Sequence, residues 1–151
     1  MRTVRASVVV KGRAVEAEQL WYDKSRWASW IDGFAHLARL EGEWPQAGAR
    51  RLWDSPPGGR GRVAETVLRY EVRAGQHLRV EDARMTGVQR VIFEPGHDET
   101  RITLELDAEP KQRLAPLRRL WLRRELGESL QRTLTRFSYE LAAERQFGRA
   151  R

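Results

Sequence analysis

Val4, Ala6, Val8 and Val10 alternate with Arg5, Ser7, Val9 and Lys11, the period of a strand that buries one face. Gly12 ends that run. Residues 14–22 hold good helix formers with Val15, Leu20 and Trp21 as apolar members. A second short helix is expected over 26–31, with Ser25 as its N-cap and Asp32-Gly33 as its stop. Gly and Pro clusters then recur at hairpin spacing and separate six expected strands, at about 34–43, 49–54, 62–73, 77–84, 88–94 and 100–108. In the last, Ile102, Leu104, Leu106 and Ala108 share one face. After Pro110 the period lengthens. Leu126, Leu130, Leu134, Phe137 and Leu141 form one stripe of a helix expected over 116–144, with Pro116 in its first turn and Gly127 as a candidate kink. Leu117, Leu120 and Trp121 continue the stripe upstream less regularly.

The order strand, helix, helix, six strands, long helix predicts an α+β fold. A seven-stranded curved antiparallel sheet needs apolar cover on one face, and the closing helix, roughly 40 Å long, is the element that can supply it. At 151 residues the chain fits one domain, 1–151, with a core of its own. The absence of cysteine excludes disulfides, thiolate metal sites and a cysteine nucleophile. No apolar run is long enough for a membrane span, and Met1 to Lys11 lacks the pattern of a signal peptide, so a cytoplasmic location is expected.

A net charge of +7 raises the question of an anionic partner. Only Lys11, Lys24 and Lys111 are lysine among 28 basic residues, and the arginines are scattered with acids among them. That scatter argues against a dedicated nucleic-acid surface. One segment is different. Arg113, Arg118, Arg119, Arg123 and Arg124 surround Leu114, Leu117, Leu120, Trp121 and Leu122, a basic amphipathic helix start that either is a solvated face or makes transient contact with an anionic membrane.

Three stretches carry a resemblance. Leu20-Trp21-Tyr22-Asp23-Lys24-Ser25-Arg26-Trp27-Ala28-Ser29-Trp30, followed by the strand from Phe34, resembles the helix, acidic turn and second helix of the START-like SRPBCC superfamily, in its bacterial polyketide cyclase/dehydrase and lipid-transport branch. Phe93-Glu94-Pro95-Gly96-His97-Asp98-Glu99-Thr100-Arg101-Ile102-Thr103 resembles that family's penultimate hairpin, and the Leu- and Arg-rich closing helix completes the likeness. The resemblance implies a helix-grip fold and a cavity for an apolar molecule such as a lipid, a quinone or a polyketide. His36, His77 and His97 lie too far apart in the sequence to suggest a metal site, and neither a metal nor a cofactor is expected.

Alternation puts His36 in phase with Phe34, Ala38 and Leu40, facing the expected cavity, as a general acid or base or as a core histidine bonded to a carbonyl. Tyr70, in phase with Thr66, Leu68 and Val72, is either a hydroxyl that orients a ligand or a wall aromatic. Trp27, Trp30, Trp44 and Trp53 are expected to cluster, with Trp30 and Trp53 against a ligand. Phe34, Phe93, Leu104, Leu130, Leu134 and Phe137 complete the expected wall. Arg69, Arg79, Arg84 and Arg90 read as outer-face positions, whereas an arginine turned inward beside an acid such as Asp82 would mark a site. The leading expectation is binding or transport of a small hydrophobic ligand, with a cavity of about 300 Å³ or more. The rival is a polyketide cyclase or aromatase using His36 or Tyr70 for proton transfer. The third is a basic module for RNA, ribosome or membrane.

Overall fold

The computed structural model describes residues 3–150, with side chains to residue 148; Met1, Arg2 and Arg151 of the expected 1–151 domain lie outside the described residues. The elements run β1 (Val4–Lys11), α1 (Ala14–Trp21), a 3-10 turn (Lys24–Arg26), α2 (Trp27–Trp30), β2 (His36–Glu41), β3 (Arg50–Asp54), β4 (Arg62–Glu71), β5 (Gly75–Glu81), β6 (Met85–Pro95), β7 (Glu99–Pro110) and α3 (Pro116–Ala150). The seven strands form one antiparallel sheet in the order β1-β7-β6-β5-β4-β3-β2. This is the expected helix-grip arrangement. β2 to β7 follow one another as a meander, and β1 returns to pair with β7 from Val4↔Leu106 to Lys11↔Glu99.

The inner face of β7, Ile102, Leu104, Leu106 and Ala108, is buried as its alternation predicts. Against it lie Leu126, Leu130, Leu134, Phe137 and Leu141 of α3, all buried. Leu122 extends the stripe by one turn, whereas Leu117, Leu120 and Trp121 leave it for the surface. α3 runs unbroken through Gly127. The role of this glycine is close approach, since a Cβ there would sit 3.3 Å from Cγ1 of Val4 on β1.

The α1–α2 junction departs from expectation in one detail. Asp23, and not Ser25, supplies the cap: Asp23 Oδ1 accepts from the Ser25 N–H at 3.0 Å and from its hydroxyl at 2.7 Å. Strand ends also differ by up to three residues, as at β5, which ends at Glu81, and at β6, which begins at Met85.

Two bulges decide which side chains face inward. In β2 the pairing slips between Leu37 and Arg39, so Leu37, opposite the buried Trp53, and Leu40, opposite the buried Arg51, both turn inward. In β4 it slips between Val67 and Arg69. Upstream of that slip, Val63, Glu65 and Val67 are buried. Downstream, Tyr70 packs on the core while Leu68 and Val72 are exposed.

The stripe on α3 makes the fold testable. Leu134→Ala, at a position with no solvent exposure, is expected to cost about 2–5 kcal/mol in urea unfolding. Leu117→Ala, on the same helix but 81% exposed, should change stability by less than about 0.5 kcal/mol. Comparable losses at the two sites would contradict the placement of the stripe.

Candidate functional site

The space between sheet and helix is largely filled by side chains. Trp27, Trp30, Trp53 and Phe137 are almost completely buried there, and an inner void of about 50 Å³ remains, bordered by Trp30, Trp53, Gln76, Leu104, Leu130 and Thr133. Beside it a pocket of about 440 Å³ opens between α3 and the β3–β4 loop, residues 55–61. Asp32, Arg60, Gln89, Ser129 and Leu130 line both spaces, so the larger pocket is the mouth of the smaller.

A buried ion pair sits at the inner end. Arg51 and Glu65 are direct partners across β3 and β4, and Arg51 Nε donates to Glu65 Oε1 at 2.9 Å. Trp53 Nε1 donates to the same oxygen. The Arg51 guanidinium lies 4.4 Å from the ring centroids of both Trp27 and Trp44, in the corner formed by two rings that meet edge-on with centroids 5.5 Å apart, an aromatic setting that suits a planar cation. Burial pushes the Glu65 carboxyl upward, but the charge and hydrogen bond of Arg51, the Trp53 donor and the charge of Arg60 outweigh it and hold the group ionised.

A second pair guards the mouth. Arg60 Nε donates to Asp82 Oδ2 at 2.8 Å, and its guanidinium lies 5.5 Å from the Trp53 ring. The other oxygen of Asp82 accepts from the backbone N–H groups of Arg84 and Met85, so the carboxylate also shapes the β5–β6 turn. On the helix side, Asp32 accepts from Ser129 Oγ at 2.7 Å and from two nitrogens of Arg132 at 3.0 Å. Its own N–H donates to Thr133 Oγ1 at 3.0 Å. Burial raises the Asp32 carboxyl, and the Arg132 and Ser129 hydrogen bonds more than reverse this, leaving it below the usual range.

Among these groups three buried donors have no partner: Nε1 of Trp30, which borders the inner void, Nε1 of Trp44, and Oγ of Ser55, which lines the mouth. An unpaired buried donor costs about 1–3 kcal/mol, a cost that a ligand acceptor can remove. Tyr22 is a further case. Its hydroxyl is buried without a partner, and desolvation, with Tyr70 and Glu18 nearby, pushes it well above the normal phenol range.

Of the residues expected at the site, Trp30, Trp53, Leu104 and Leu130 line the void. Phe34 stacks on Trp53 with centroids 4.9 Å apart. Phe93, Leu134 and Phe137 are buried but do not line the void: Phe93 and Phe137 pack edge-on against Trp21, and Phe137 against Trp30 as well. Tyr70 meets the ring of Tyr22 edge-on at 5.5 Å and does not line the void either. His36 is misplaced by the expectation. It is exposed, pairs with Asp54 across β2 and β3 at 3.0 Å, and points away from the cavity because the bulge at Ala38 separates its phase from that of Leu40. The inward arginine beside Asp82 exists and is Arg60. Arg51, Glu65, Asp32, Gln76 and Gln89 were not anticipated. A signal for the first two was present, since Arg51 is in phase with Trp53, and Glu65 with Val63 and Val67.

A long helix held in the curve of an antiparallel sheet, with a pocket between the two, defines a helix-grip protein. Solved structures share that architecture. A START superfamily protein from Mycobacterium smegmatis is similar over 93% of this chain and 97% of its own, at 15% identity and a TM-score of 0.73. A protein from Thermus thermophilus is similar over 95% and 99%, at 16% identity and a TM-score of 0.73. Truncated norcoclaurine synthase from Thalictrum flavum is similar over 73% and 76%, at 12% identity and a TM-score of 0.60. No curated protein matches the sequence significantly. The model of the family described as polyketide cyclase / dehydrase and lipid transport matches residues 1–141, and the chain belongs to that family.

The ion pair generates a prediction of its own. Glu65→Gln leaves the Arg51 charge buried without a counter-charge and is expected to cost about 3–5 kcal/mol in chemical unfolding. The double variant Arg51→Met/Glu65→Leu should cost less than the two single changes summed. Because the folded-state pKa of Glu65 is depressed, its contribution is present above the unfolded value of about 4.3 and is lost as pH falls through the folded value. Stability of the double variant should therefore fall less steeply than wild type below about pH 4. Parallel curves would show that Glu65 does not titrate as described.

Proposed function

We propose that this protein binds a small molecule with a compact apolar body and a polar or anionic end, seated in the mouth pocket with its apolar part against Leu106, Leu126 and Leu130. The observation that carries the reading is the mouth itself. At about 440 Å³ it falls in the size range of small-molecule sites, whereas the void of about 50 Å³ behind it has no room for a long acyl chain. Arg60 and Gln89 stand where a polar end would meet donors, and the free Nε1 of Trp30 supplies one more. Membership of a lipid-transport and cyclase family supports a hydrophobic ligand without choosing among lipid, quinone and polyketide.

The cyclase alternative loses both of its proton-transfer candidates. His36 lies on the outer side of an edge strand, and the Tyr70 phenol is raised by burial and by the Glu18 charge, away from the void. Asp32 and Glu65, which do line the inner space, are held as carboxylates and offer no acid proton near neutral pH. Binding is the function that the arrangement supports best.

A direct test uses 1-anilinonaphthalene-8-sulfonate, whose apolar rings and single sulfonate match the pocket. Saturable one-to-one binding by fluorescence and native mass spectrometry is expected. Gln89→Trp, which places an indole in the mouth, should weaken binding at least tenfold without lowering the unfolding midpoint. Leu117→Ser, outside the mouth, should leave it unchanged. Binding indifferent to Gln89→Trp would overturn the assignment.

A further inference from the structure

The first two turns of α3 project an apolar ridge that the fold does not cover. Leu117, Leu120 and Trp121 are 81%, 62% and 65% exposed. Beside them a groove of about 590 Å³ runs between α3, the linker after β7 and the β5–β6 turn, with Ala83, Pro110, Leu114 and Leu122 in its walls. The charge along this stretch of the chain has one sign. Residues 110–124 contain Lys111, Arg113, Arg118, Arg119, Arg123 and Arg124 and no acid. Lys111 is engaged by Glu81, and Arg123 donates to the Thr3 carbonyl. Among the described residues Arg113, Arg118, Arg119 and Arg124 make no ion pair.

We infer that this ridge docks the protein on an anionic lipid bilayer, with Leu117, Leu120 and Trp121 at the level of the acyl-headgroup boundary and the free arginines among the headgroup phosphates. Exposed leucines with a tryptophan on one side and arginines flanking them match the two demands of an interface, apolar burial and attraction to anionic lipid. Long arginine side chains can lay their stems on the apolar layer while the guanidinium reaches phosphate. The same surface opposes the other occupants. A second copy would set unpaired arginines against arginines, and a nucleic acid would gain nothing from burying Leu117 and Leu120. The contact is a surface contact, since no helix among the described residues is long and apolar enough to cross a membrane.

The ridge also adjoins the mouth. Arg84 lines both the groove and the mouth pocket, and its Nη1 lies 3.3 Å from Glu125 on α3, so this ion pair stands between the two openings. Docking through the ridge brings the mouth to the membrane surface. That consequence for ligand exchange rests on the binding function proposed above, whereas docking itself does not.

Co-sedimentation with vesicles of phosphatidylcholine, with and without about one third phosphatidylglycerol, tests the inference. Binding is expected to the anionic vesicles, weak or absent for pure phosphatidylcholine, and to fall as salt is raised. Leu117→Ser/Trp121→Ser and, separately, Arg118→Glu/Arg119→Glu should each reduce it at least tenfold. Both pairs are exposed, so unfolding midpoints should hold, and binding of 1-anilinonaphthalene-8-sulfonate in the mouth should persist in both. Equal binding to neutral and anionic vesicles, or none to either, would overturn docking while leaving the mouth assignment standing. Salt-sensitive binding to single-stranded RNA that survives Leu117→Ser/Trp121→Ser, or a dimer in sedimentation velocity that these changes abolish, would reassign the ridge to that partner.

Discussion

The interior of this protein is organised around one buried charge. The Arg51 guanidinium lies in the corner formed by the rings of Trp27 of α2 and Trp44 of the β2–β3 connection, and it is paired with Glu65 on the neighbouring strand. Three separate stretches of chain besides its own strand therefore take their positions from a single planar cation. Glu65 extends the arrangement by accepting from Trp53, on which Phe34 and Arg60 both lie. A buried pair of this kind adds little net stability over apolar residues of the same volume, because both groups must be desolvated. What it adds is definition. The tryptophans cannot repack freely without exposing one charge or the other, so the inner wall of the cavity is fixed in shape and carries a fixed polarity.

That rigidity explains why the cavity is small. An interior walled by Trp21, Trp27, Trp30, Trp53 and Phe137, with rings in contact at 4.4 Å between Trp21 and Trp30 and 5.1 Å between Trp30 and Phe137, leaves little space for anything else. The open volume has moved outward to where α3 meets the β3–β4 loop. There the polar groups are paired to one another, Arg60 to Asp82 and Asp32 to Arg132 and Ser129, and this pairing keeps the mouth from collapsing onto unsolvated charges.

Most of the fold was legible in the sequence because its periods are long and clean. Ile102 to Ala108 alternates without a break, and the stripe from Leu126 to Leu141 has the step of a helix that packs along its length. The site was legible only in part. His36 was assigned its face, and Tyr70 its companions Thr66 and Leu68, by counting in twos, and each lies on a strand that a bulge interrupts, at Ala38 and at Leu68. One extra residue reverses the parity of everything beyond it, and no local residue pattern announces it. Arg51 and Glu65 failed to register for another reason. Their phase with Trp53 and Val63 was readable, but a charged residue on an apolar face signals a site only once its partner across the sheet is known, and that partner depends on register. The spacing of Asp32 from Ser129 and Arg132, about a hundred residues, is beyond any local pattern.

α3 unites these two levels of organisation. From Leu122 onward it obeys the sheet, and its buried stripe sets where the pocket can be. Before Leu122 nothing in the fold requires leucine or tryptophan, since these side chains stay largely exposed and the helix start could be polar at little cost to the core. Scattered exposed leucines need no explanation. Three apolar side chains on successive turns, next to an apolar groove and inside a stretch with six bases and no acid, are not scattered. The helix therefore carries two apolar faces with different addressees: one is satisfied by the sheet, and the other is left for a surface outside the molecule.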